Sequence, residues 1–252
     1  MKEKNGKQIM VFGATSAIAQ AAIRRWAGER AQFHLVGRQD AKLQAVAKDA
    51  TARGASAVAC SVVNLCDPSA IARFFQEEKI QATAWDLLLI AQGVLPEQGL
   101  LNREPERVAE PVSLNLSGPI QICLHALSLL SRQTRGGIMV LSSVSGERAR
   151  RDSLVYAATK SGLSTFLAGL QLEAAEHGVM VWDIRPGFVA TPMTEHMQKN
   201  FLFVTPDRIA RDLDRAWKRG RGGVVYTPWF WRWVLLLVRN LPTFLFRKIG
   251  AK

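Results

Sequence analysis

Residues 8–28, "QIMVFGATSAIAQAAIRRWAG", decide the fold. An apolar run of strand length, Gln8–Phe12, reaches a turn at Gly13 and continues into an amphipathic stretch of helical length. The same alternation recurs after "FHLVGR" (33–38), "AVACSVV" (57–63), "WDLLLIAQG" (85–93), "GIMVLSS" (137–143) and "VMVWDIRPG" (179–187), and a last run is "GVVYTP" (223–228). Strands that are apolar on both faces and are followed by helices indicate a parallel sheet covered on both sides.

The pattern predicts an α/β fold: a single-domain, Rossmann-type, doubly wound parallel sheet with helices on both faces. We assign residues 1–228 to this domain, including the catalytic site, and residues 229–252 to a C-terminal helical tail that is apolar and basic. Ligands of such sheets bind beyond the carboxyl ends of the strands. Functional residues are therefore expected in the segments that follow the strands.

Composition favours a cytoplasmic protein. The chain has 252 residues, 48% of them hydrophobic, which suits one sizeable domain. Its first residues, "MKEKNGKQ", are polar and lead into a strand, so no cleaved secretion signal is predicted. Three cysteines without CxxC spacing favour a reducing compartment, and four scattered histidines without metal-ligand spacing predict no metal site.

The loop after the first strand is a candidate phosphate site. Dinucleotide-binding folds place glycines here so that the backbone approaches a pyrophosphate at a helix N-terminus. "GATSAIA" has Gly13, with Ala17 and Ala19 where two more glycines are expected, so the loop alone is a weak signal. The second strand ends with Arg38 instead of the acid typical of NAD sites, and arginine pairs with a 2′-phosphate. We therefore expect NADP(H) to be preferred over NAD(H).

"YAATK" places Tyr156 and Lys160 one helical turn apart on the same helix face. A nearby ammonium favours the phenolate, so we expect Lys160 to lower the pKa of Tyr156 and make it a proton donor near neutral pH. Ser143 ends a predicted strand, Asn115 lies in "SLNLSG", and "RPGFVAT" (185–191) follows the next strand. One cleft at the edge of the sheet can collect all of these groups.

In this order and at these spacings, over about residues 8–228, the motifs resemble those of the single-domain short-chain dehydrogenases/reductases. The resemblance implies that Ser143 positions the substrate oxygen, Tyr156 is the acid/base, and Asn115 supports a proton relay. Lys160 would tune the tyrosine and hold the nicotinamide ribose. The cofactor-binding residues that it implies are Gly13, Thr15, Ser16, Ala17, Ile18, Arg38, Asn64, Leu65, Ala91, Gly93, Tyr156, Lys160, Pro186, Gly187, Val189 and Thr191.

Three departures from the family pattern bear on cofactor binding. The methyl group of Ala17 presses on the approach to the phosphates, Asn64 stands for the family's Asp beside the adenine, and "AQG" (91–93) replaces "NAG". None removes a group that the reaction needs. We therefore expect hydride transfer between NADPH and a ketone or secondary alcohol; the alternative is a catalytically weak nucleotide-binding scaffold or sensor of the same fold.

The tail has an unusual charge. From residue 215 to residue 252 there are nine Lys or Arg, no Asp or Glu, and four of the seven tryptophans. This indicates an anionic membrane surface or a subunit neighbour as partner, and both interpretations stay open. Arg232, Arg239 and Pro242 argue against a membrane-spanning helix, and tryptophans among leucines and valines argue against nucleic acid.

The tail also bears on the substrate. "GATSAIA" and "TPWFWR" (227–232) resemble reductases that act on decaprenylphosphoryl 2-keto-pentofuranose. That resemblance implies a lipid-linked substrate and a peripheral location at the inner face of the membrane. A ketoacyl, sterol or other hydrophobic ketone is an equal candidate, and we expect a homo-oligomer. Phe188, Met193 and Met197 predict an apolar substrate loop.

Overall fold

The computed structural model describes residues 6–242 and 244–246. Its strands form one parallel sheet in the order β3-β2-β1-β4-β5-β6-β7. The strands are β1 (Gln8–Phe12), β2 (Gln32–Gly37), β3 (Ala57–Val62), β4 (Leu87–Ile90), β5 (Gly137–Leu141), β6 (Met180–Pro186) and β7 (Gly223–Thr227). The strand order reverses between β1 and β4, which is where such sheets bind ligands.

The helices alternate with the strands as predicted. They are α1 (Ala17–Ala27), α2 (Asp40–Ala52), α3 (Pro68–Gln76), α4 (Glu78–Ala82), α5 (Gln98–Arg103), α6 (Ala109–Val112), α7 (Gly118–Ser131), α8 (Leu154–Glu176), α9 (Pro206–Arg219) and α10 (Trp231–Asn240). Short 3-10 turns cover Pro105–Val108, Val144–Gly146 and Pro192–Thr194, and a π-helical turn covers Ser113–Ser117.

The two faces of the sheet bury two separate cores. Successive strand residues point to opposite faces, so Ile9 and Val11 of β1 pack with α1, α2 and α9. Met10 and Phe12 pack on the other face with α3, α4, α7 and α8. This double burial explains why the strands are apolar throughout, and it confirms the predicted doubly wound fold.

A third, smaller apolar cluster joins the tail to the domain. Trp231 and Leu235, four residues apart on one face of α10, are buried against Val144, with Phe188 and Phe230 beside them. The predicted helical tail is therefore present and is packed on the carboxyl edge of the sheet. The assignment of residues 229–252 to a separate unit stays a prediction, and residues 243 and 247–252 lie outside the described residues.

One helical run within the described residues, Pro105–Ser131, is long and apolar enough to cross a membrane. Half of the residues in its most apolar stretch are buried inside the protein. It includes α7, which forms part of the core beneath β4 and β5. Core helices of soluble proteins have this composition as well, so the run is weak evidence for a membrane span.

Candidate active site

The loop between β1 and α1 turns sharply at Gly13. Gly13 has φ +70°, a conformation that favours glycine, and its N–H donates to the Val36 carbonyl at 2.9 Å. Ser16 caps α1 by accepting the Ala19 N–H at 3.2 Å. Thr15, Ser16, Ala17 and Ile18 are all partly exposed. The positive end of α1 therefore faces solvent at the edge of the sheet.

Close contacts with neighbouring segments explain why Gly13 and Gly93 are glycines. A β-carbon on Gly13 would lie 2.6 Å from the Gln92 nitrogen, so the first loop and the segment after β4 are in direct contact. A β-carbon on Gly93 would lie 3.2 Å from Asn115 Oδ1 and 3.6 Å from Lys160 Nζ. These contacts bring the first loop, the segment after β4, Asn115 and Lys160 together along one edge of the sheet. We call this edge the cradle, because dinucleotides bind at the corresponding edge of Rossmann-type sheets.

Gln92 is a residue that sequence analysis noticed only as a departure from the family motif. Its side chain is 6% exposed, and within the described residues neither its amide nitrogen nor its amide oxygen has a hydrogen-bond partner. Buried amides without partners are rare and costly. An unsatisfied amide between the first loop and Gly118 is consistent with a polar ligand in the cradle.

The predicted adenosine-side residues lie at the tips of β2 and β3. Arg38 is exposed immediately after β2. Asn64 is exposed after β3, and its Oδ1 accepts the Cys66 N–H at 3.1 Å, while Leu65 is buried. Arg38 and Asn64 lie apart from Ser143 and Tyr156, because β2 and β3 stand on the other side of β1 from β5. Ala91, by contrast, is buried at the end of β4.

Asn115 is held by a local distortion of its helix. It lies in the π-helical turn that joins α6 and α7; such turns are frequent at functional sites. Its side chain is fully buried and is bonded twice to Val94, donating Nδ2 to the carbonyl and accepting the N–H, both at 2.8 Å. Asn115 therefore ties α7 to the loop after β4 beside Lys160.

Ser143 and Tyr156 face one another across the end of β5. Ser143 is buried two residues after the strand and accepts the Ser145 N–H at 3.1 Å. Tyr156 lies in the first turn of α8 and is half-buried. Desolvation raises the pKa of the Tyr156 phenol, and a hydrogen bond with Ser143 opposes that rise. The two hydroxyls are thus within reach of one substrate oxygen.

Lys160 lies one turn below Tyr156 and is almost completely buried. Its Nζ donates to the Leu141 carbonyl at 2.9 Å and lies 5.8 Å from the centre of the Tyr156 ring. Burial lowers the pKa of Lys160 to about 8, although the Asp183 carboxylate favours the ammonium. Proton loss from this lysine is therefore accessible just above neutral pH.

This geometry corrects the expected pKa of Tyr156. We expected the neighbouring ammonium to lower it, but the pKa is raised because loss of solvent is the dominant effect and the main opposing contact comes from Ser143. The ammonium is directed at the Leu141 carbonyl instead of the phenol oxygen.

A buried ionic network behind these residues was not predicted. The Asp183 carboxylate accepts the Ser142 hydroxyl and the Arg185 guanidinium, the latter at 2.7 Å. Arg185 also donates to Glu147 at 2.7 Å, and Glu147 accepts the Tyr226 hydroxyl. The network joins the residue before Ser143 to the residue before Pro186. In the sequence, the one signal for it is that Asp183 and Arg185 are charged residues inside the otherwise apolar strand β6.

The segment after β6 forms the last wall of the site. Pro186 and Val189 are buried, whereas Gly187 and Thr191 are partly exposed. The Phe188 ring stacks on Phe203 with 5.2 Å between centroids.

The two remaining residues of the predicted apolar loop lie further along this segment. Met193 is 40% exposed, and Met197 is partly exposed. The segment therefore offers apolar and aromatic surface beside the turn that follows Ser143. The structure thus brings Asn115, Ser143, Tyr156 and Lys160 together at one edge of the sheet.

The fold and this edge define a nucleotide-dependent oxidoreductase class, and sequence comparison identifies it. The family model described as short chain dehydrogenase matches residues 7–201, and the chain belongs to that family. It is 31% identical over 253 residues to an uncharacterized oxidoreductase of Mycobacterium tuberculosis (strain ATCC 25618 / H37Rv), covering 99% of both chains. It is also 31% identical to an uncharacterized oxidoreductase of Streptomyces coelicolor, covering 96% of each. The protein is accordingly an oxidoreductase of the CH–OH/C=O class.

Solved structures share the fold at lower identity. A short-chain dehydrogenase from Sphingobium yanoikuyae in complex with NADPH aligns with a TM-score of 0.79 and 20% identity, over 94% of this chain and 97% of that one. A variant of the actinorhodin polyketide ketoreductase with NADPH aligns with a TM-score of 0.78 and 19% identity, over 91% and 99%. The family fold binds NAD(P), in agreement with the cradle.

Proposed function

We propose that this protein reduces a hydrophobic ketone with NADPH. The observation that carries the proposal is the convergence of Ser143, Tyr156 and Lys160 beside Asn115 at the edge of the sheet. Bound NADPH supplies the hydride. Tyr156 donates its phenolic proton to the oxygen that becomes the alcohol, and Ser143 donates a hydrogen bond to the charge developing there. Lys160 holds positive charge behind the tyrosine, and Asn115 fixes the loop that flanks it.

The preference for NADPH rests on Arg38. Its exposed side chain follows β2 at the tip where an NAD enzyme carries an acid. A guanidinium pairs with a 2′-phosphate through two hydrogen bonds. The two NADPH-bound neighbours in the fold comparison are consistent with this preference.

A hydrophobic substrate is supported by the outer wall of the site. Phe188 and Phe230 pack on the buried Val144 and Trp231 beside the turn after Ser143, and both keep part of their apolar surface exposed. A small charged substrate would gain no binding free energy from this surface. A hydrocarbon or lipid chain would be stabilised by burying apolar area against it. A ketone linked to a polyprenyl phosphate satisfies both this wall and the basic tail.

The tail supports peripheral attachment to an anionic membrane at its cytoplasmic face. Trp229 is 66% exposed, Trp233 60% and Leu237 67%, and exposed indoles and leucine are suited to the headgroup region. A groove of about 420 Å³ beside Trp233 is lined by Arg232 and Arg239 and by one acid, Glu147. Positive charge therefore meets the apolar side chains of Trp233 and Leu236 in this groove.

The basic surface continues past the edge strand β7. A second groove, of about 660 Å³, carries Arg215, Arg219 and Arg221 together with Trp229. One acid, Asp212, lines it as well, bonded to Arg215 at 3.1 Å. The excess of arginine across both grooves favours phospholipid headgroups over an uncharged partner.

The reaction is tested by NADPH oxidation with a panel of ketones: cyclohexanone, trans-decalone, ethyl acetoacetate and a polyprenyl-phosphate keto-pentofuranose. The apolar wall predicts the highest kcat/KM for the larger apolar ketones. NADPH binding without reduction of any member would support the scaffold alternative and refute the proposed activity on this panel.

Membrane attachment is tested by co-sedimentation with phosphatidylglycerol and phosphatidylcholine vesicles. We expect binding to the anionic vesicles only, weakened by salt and reduced when Trp229 and Trp233 are both changed to alanine. Leu172→Ala is the control, because Leu172 is 75% exposed on α8, outside the tail. If neither vesicle binds, and the double variant alters only the oligomeric state in gel filtration, the tail is a subunit interface.

A further inference from the structure

The two ends of α10 contact two loops that flank the site. One is the loop after β6, at Gly187, and the other is the segment after Ser143. At its first residue, the Trp231 indole covers Gly187, and a β-carbon on Gly187 would lie 1.8 Å from the indole nitrogen. The Phe188 ring is edge-on to Trp231 at 5.6 Å between centroids. Trp231 is 5% exposed. The loop after β6 is therefore shaped to receive this side chain, and Gly187 leaves the space for it.

At the other end, Arg148 caps α10. Its guanidinium donates to the Val238 carbonyl at 2.5 Å and to the Leu241 carbonyl at 2.7 Å, and it lies 4.0 Å from the centre of the Phe246 ring. The last carbonyls of a helix lack partners within the helix, and a cation there also opposes the helix dipole. Arg148 thus supplies what the C-terminus of α10 requires.

Arg148 belongs to the same segment as Ser143. The 3-10 turn Val144–Gly146 begins at Ser143, whose hydroxyl accepts from Ser145. Its last residue is packed on α8, since a β-carbon on Gly146 would lie 2.8 Å from the backbone of Lys160 and Ser161. A displacement of this turn would therefore be felt at both Ser143 and the α8 helix that carries Tyr156.

We propose that α10 is a strap that holds the Ser143 turn and the Gly187 loop together, and that Arg148 and Trp231 are positioning residues for ketone reduction. This inference rests on the proposed function, because it assigns to the strap the task of aligning Ser143 with Tyr156. The strap acts on the wall that faces the substrate. The phosphate loop at Gly13, on the far side of the cradle, is outside its reach.

The activity test compares Arg148→Ala with Arg148→Lys, using trans-decalone as the probe ketone. Misplacement of a catalytic group by about 1 Å costs up to about a hundredfold in rate. We expect kcat of Arg148→Ala to fall at least about tenfold, with the Kd for NADPH unchanged. Lysine retains the charge and donates to one or two carbonyls, so Arg148→Lys should recover part of kcat. Rates are expressed per NADPH-binding site, which removes any loss caused by unfolded protein.

Arg53→Ala is the matched control. Arg53 follows α2 and pairs with Asp49 at 2.8 Å, far from the strap. Its replacement removes the same charge and should leave kcat unchanged. The inference is overturned if Arg148→Ala turns over like wild type, or if lysine rescues nothing and NADPH binding falls together with kcat.

Amide hydrogen exchange tests the strap independently of ketone reduction. In Arg148→Ala, the amides of residues 143–147 and 231–240 should exchange faster while those of β1 do not. If wild type reduces no ketone and this local exchange is nevertheless seen, the strap exists and the proposed reaction is wrong. If a ketone is reduced and exchange rises uniformly or not at all, the reaction stands and the strap does not.

Discussion

The edge of the sheet and the tail helix place functional side chains in different ways. At the edge, Gly13, Ser143 and Tyr156 are located by the ends of regular elements that bury both faces of the sheet. In α10, Trp231 and Leu235 are located by contacts with loops distant in sequence, and the opposite face of the helix is exposed.

That difference has a consequence for energetics. Edge residues are held by the two main cores, so changing them alters local chemistry or local strain. The tail is held by a small cluster and by Arg148, so its attachment is a low-energy contact by comparison with the cores. Gly13 and Tyr156 are therefore expected to be rigid, whereas the turn after Ser143 and the wall that meets the substrate also depend on the contacts of the tail.

Among the substitutions that distinguish the edge of the sheet from the tail, we expect Gly13→Ala to have the largest effect on NADPH binding and stability. Gly13→Ala places a methyl group 2.6 Å from the Gln92 nitrogen at φ +70°. We expect NADPH binding to be lost and the free energy of unfolding to fall by about 1–3 kcal/mol. Gly169→Ala is the control: nothing lies within 4 Å of its β-carbon in α8, so stability should rise by about 0.5–1 kcal/mol. Fluorescence titration and urea unfolding measure both; tight NADPH binding by Gly13→Ala would contradict the cradle.

A smaller effect concerns Arg38. Arg38→Asp removes a cation and places a carboxylate opposite the 2′-phosphate, so NADPH should lose about 1–3 kcal/mol of binding relative to NADH. Lys42→Asp, an exposed position in the next turn, makes the same change in charge and should alter the ratio little. Titrations with both nucleotides check this, and an unchanged ratio in Arg38→Asp would show that the arginine is merely solvated.

The most gradual effect, and the smallest at any single step of pH, is the pH dependence of stability from Lys160. Its pKa is lowered from 10.5 to about 8 in the folded protein, so below pH 8 the buried ammonium costs stability in full. Between these values the folded state releases its proton before the unfolded state does, and stability should rise with pH by up to about 1 kcal/mol per unit. Urea unfolding without nucleotide measures this rise. Lys160→Met should lack it, and parallel curves for the two proteins would refute the depressed pKa.

Features of the structure that depend on local sequence were predicted, and features that depend on packing between distant segments were not. The doubly wound sheet and the convergence of Asn115, Ser143 and Lys160 follow from strand ends and helical spacing, which are local properties. The pKa of Tyr156 was predicted in the wrong direction because desolvation depends on packing.

Other features depend on contacts that spacing does not encode. These include the seat of Trp231 on Gly187, the cap by Arg148 and the network through Asp183. The π-helical turn at Asn115 likewise leaves no periodic signal that distinguishes it from a regular helix.

The most direct test of the proposed reaction is the turnover of Tyr156→Phe, measured together with its affinity for NADPH. Phenylalanine keeps the ring and removes the proton that the proposed reaction donates. We expect ketone reduction to fall by about a hundredfold or more while the Kd for NADPH stays within about twofold. Full turnover by Tyr156→Phe would contradict the proposed role of Tyr156, and loss of NADPH binding together with activity would make Tyr156 a structural residue instead of the proton donor.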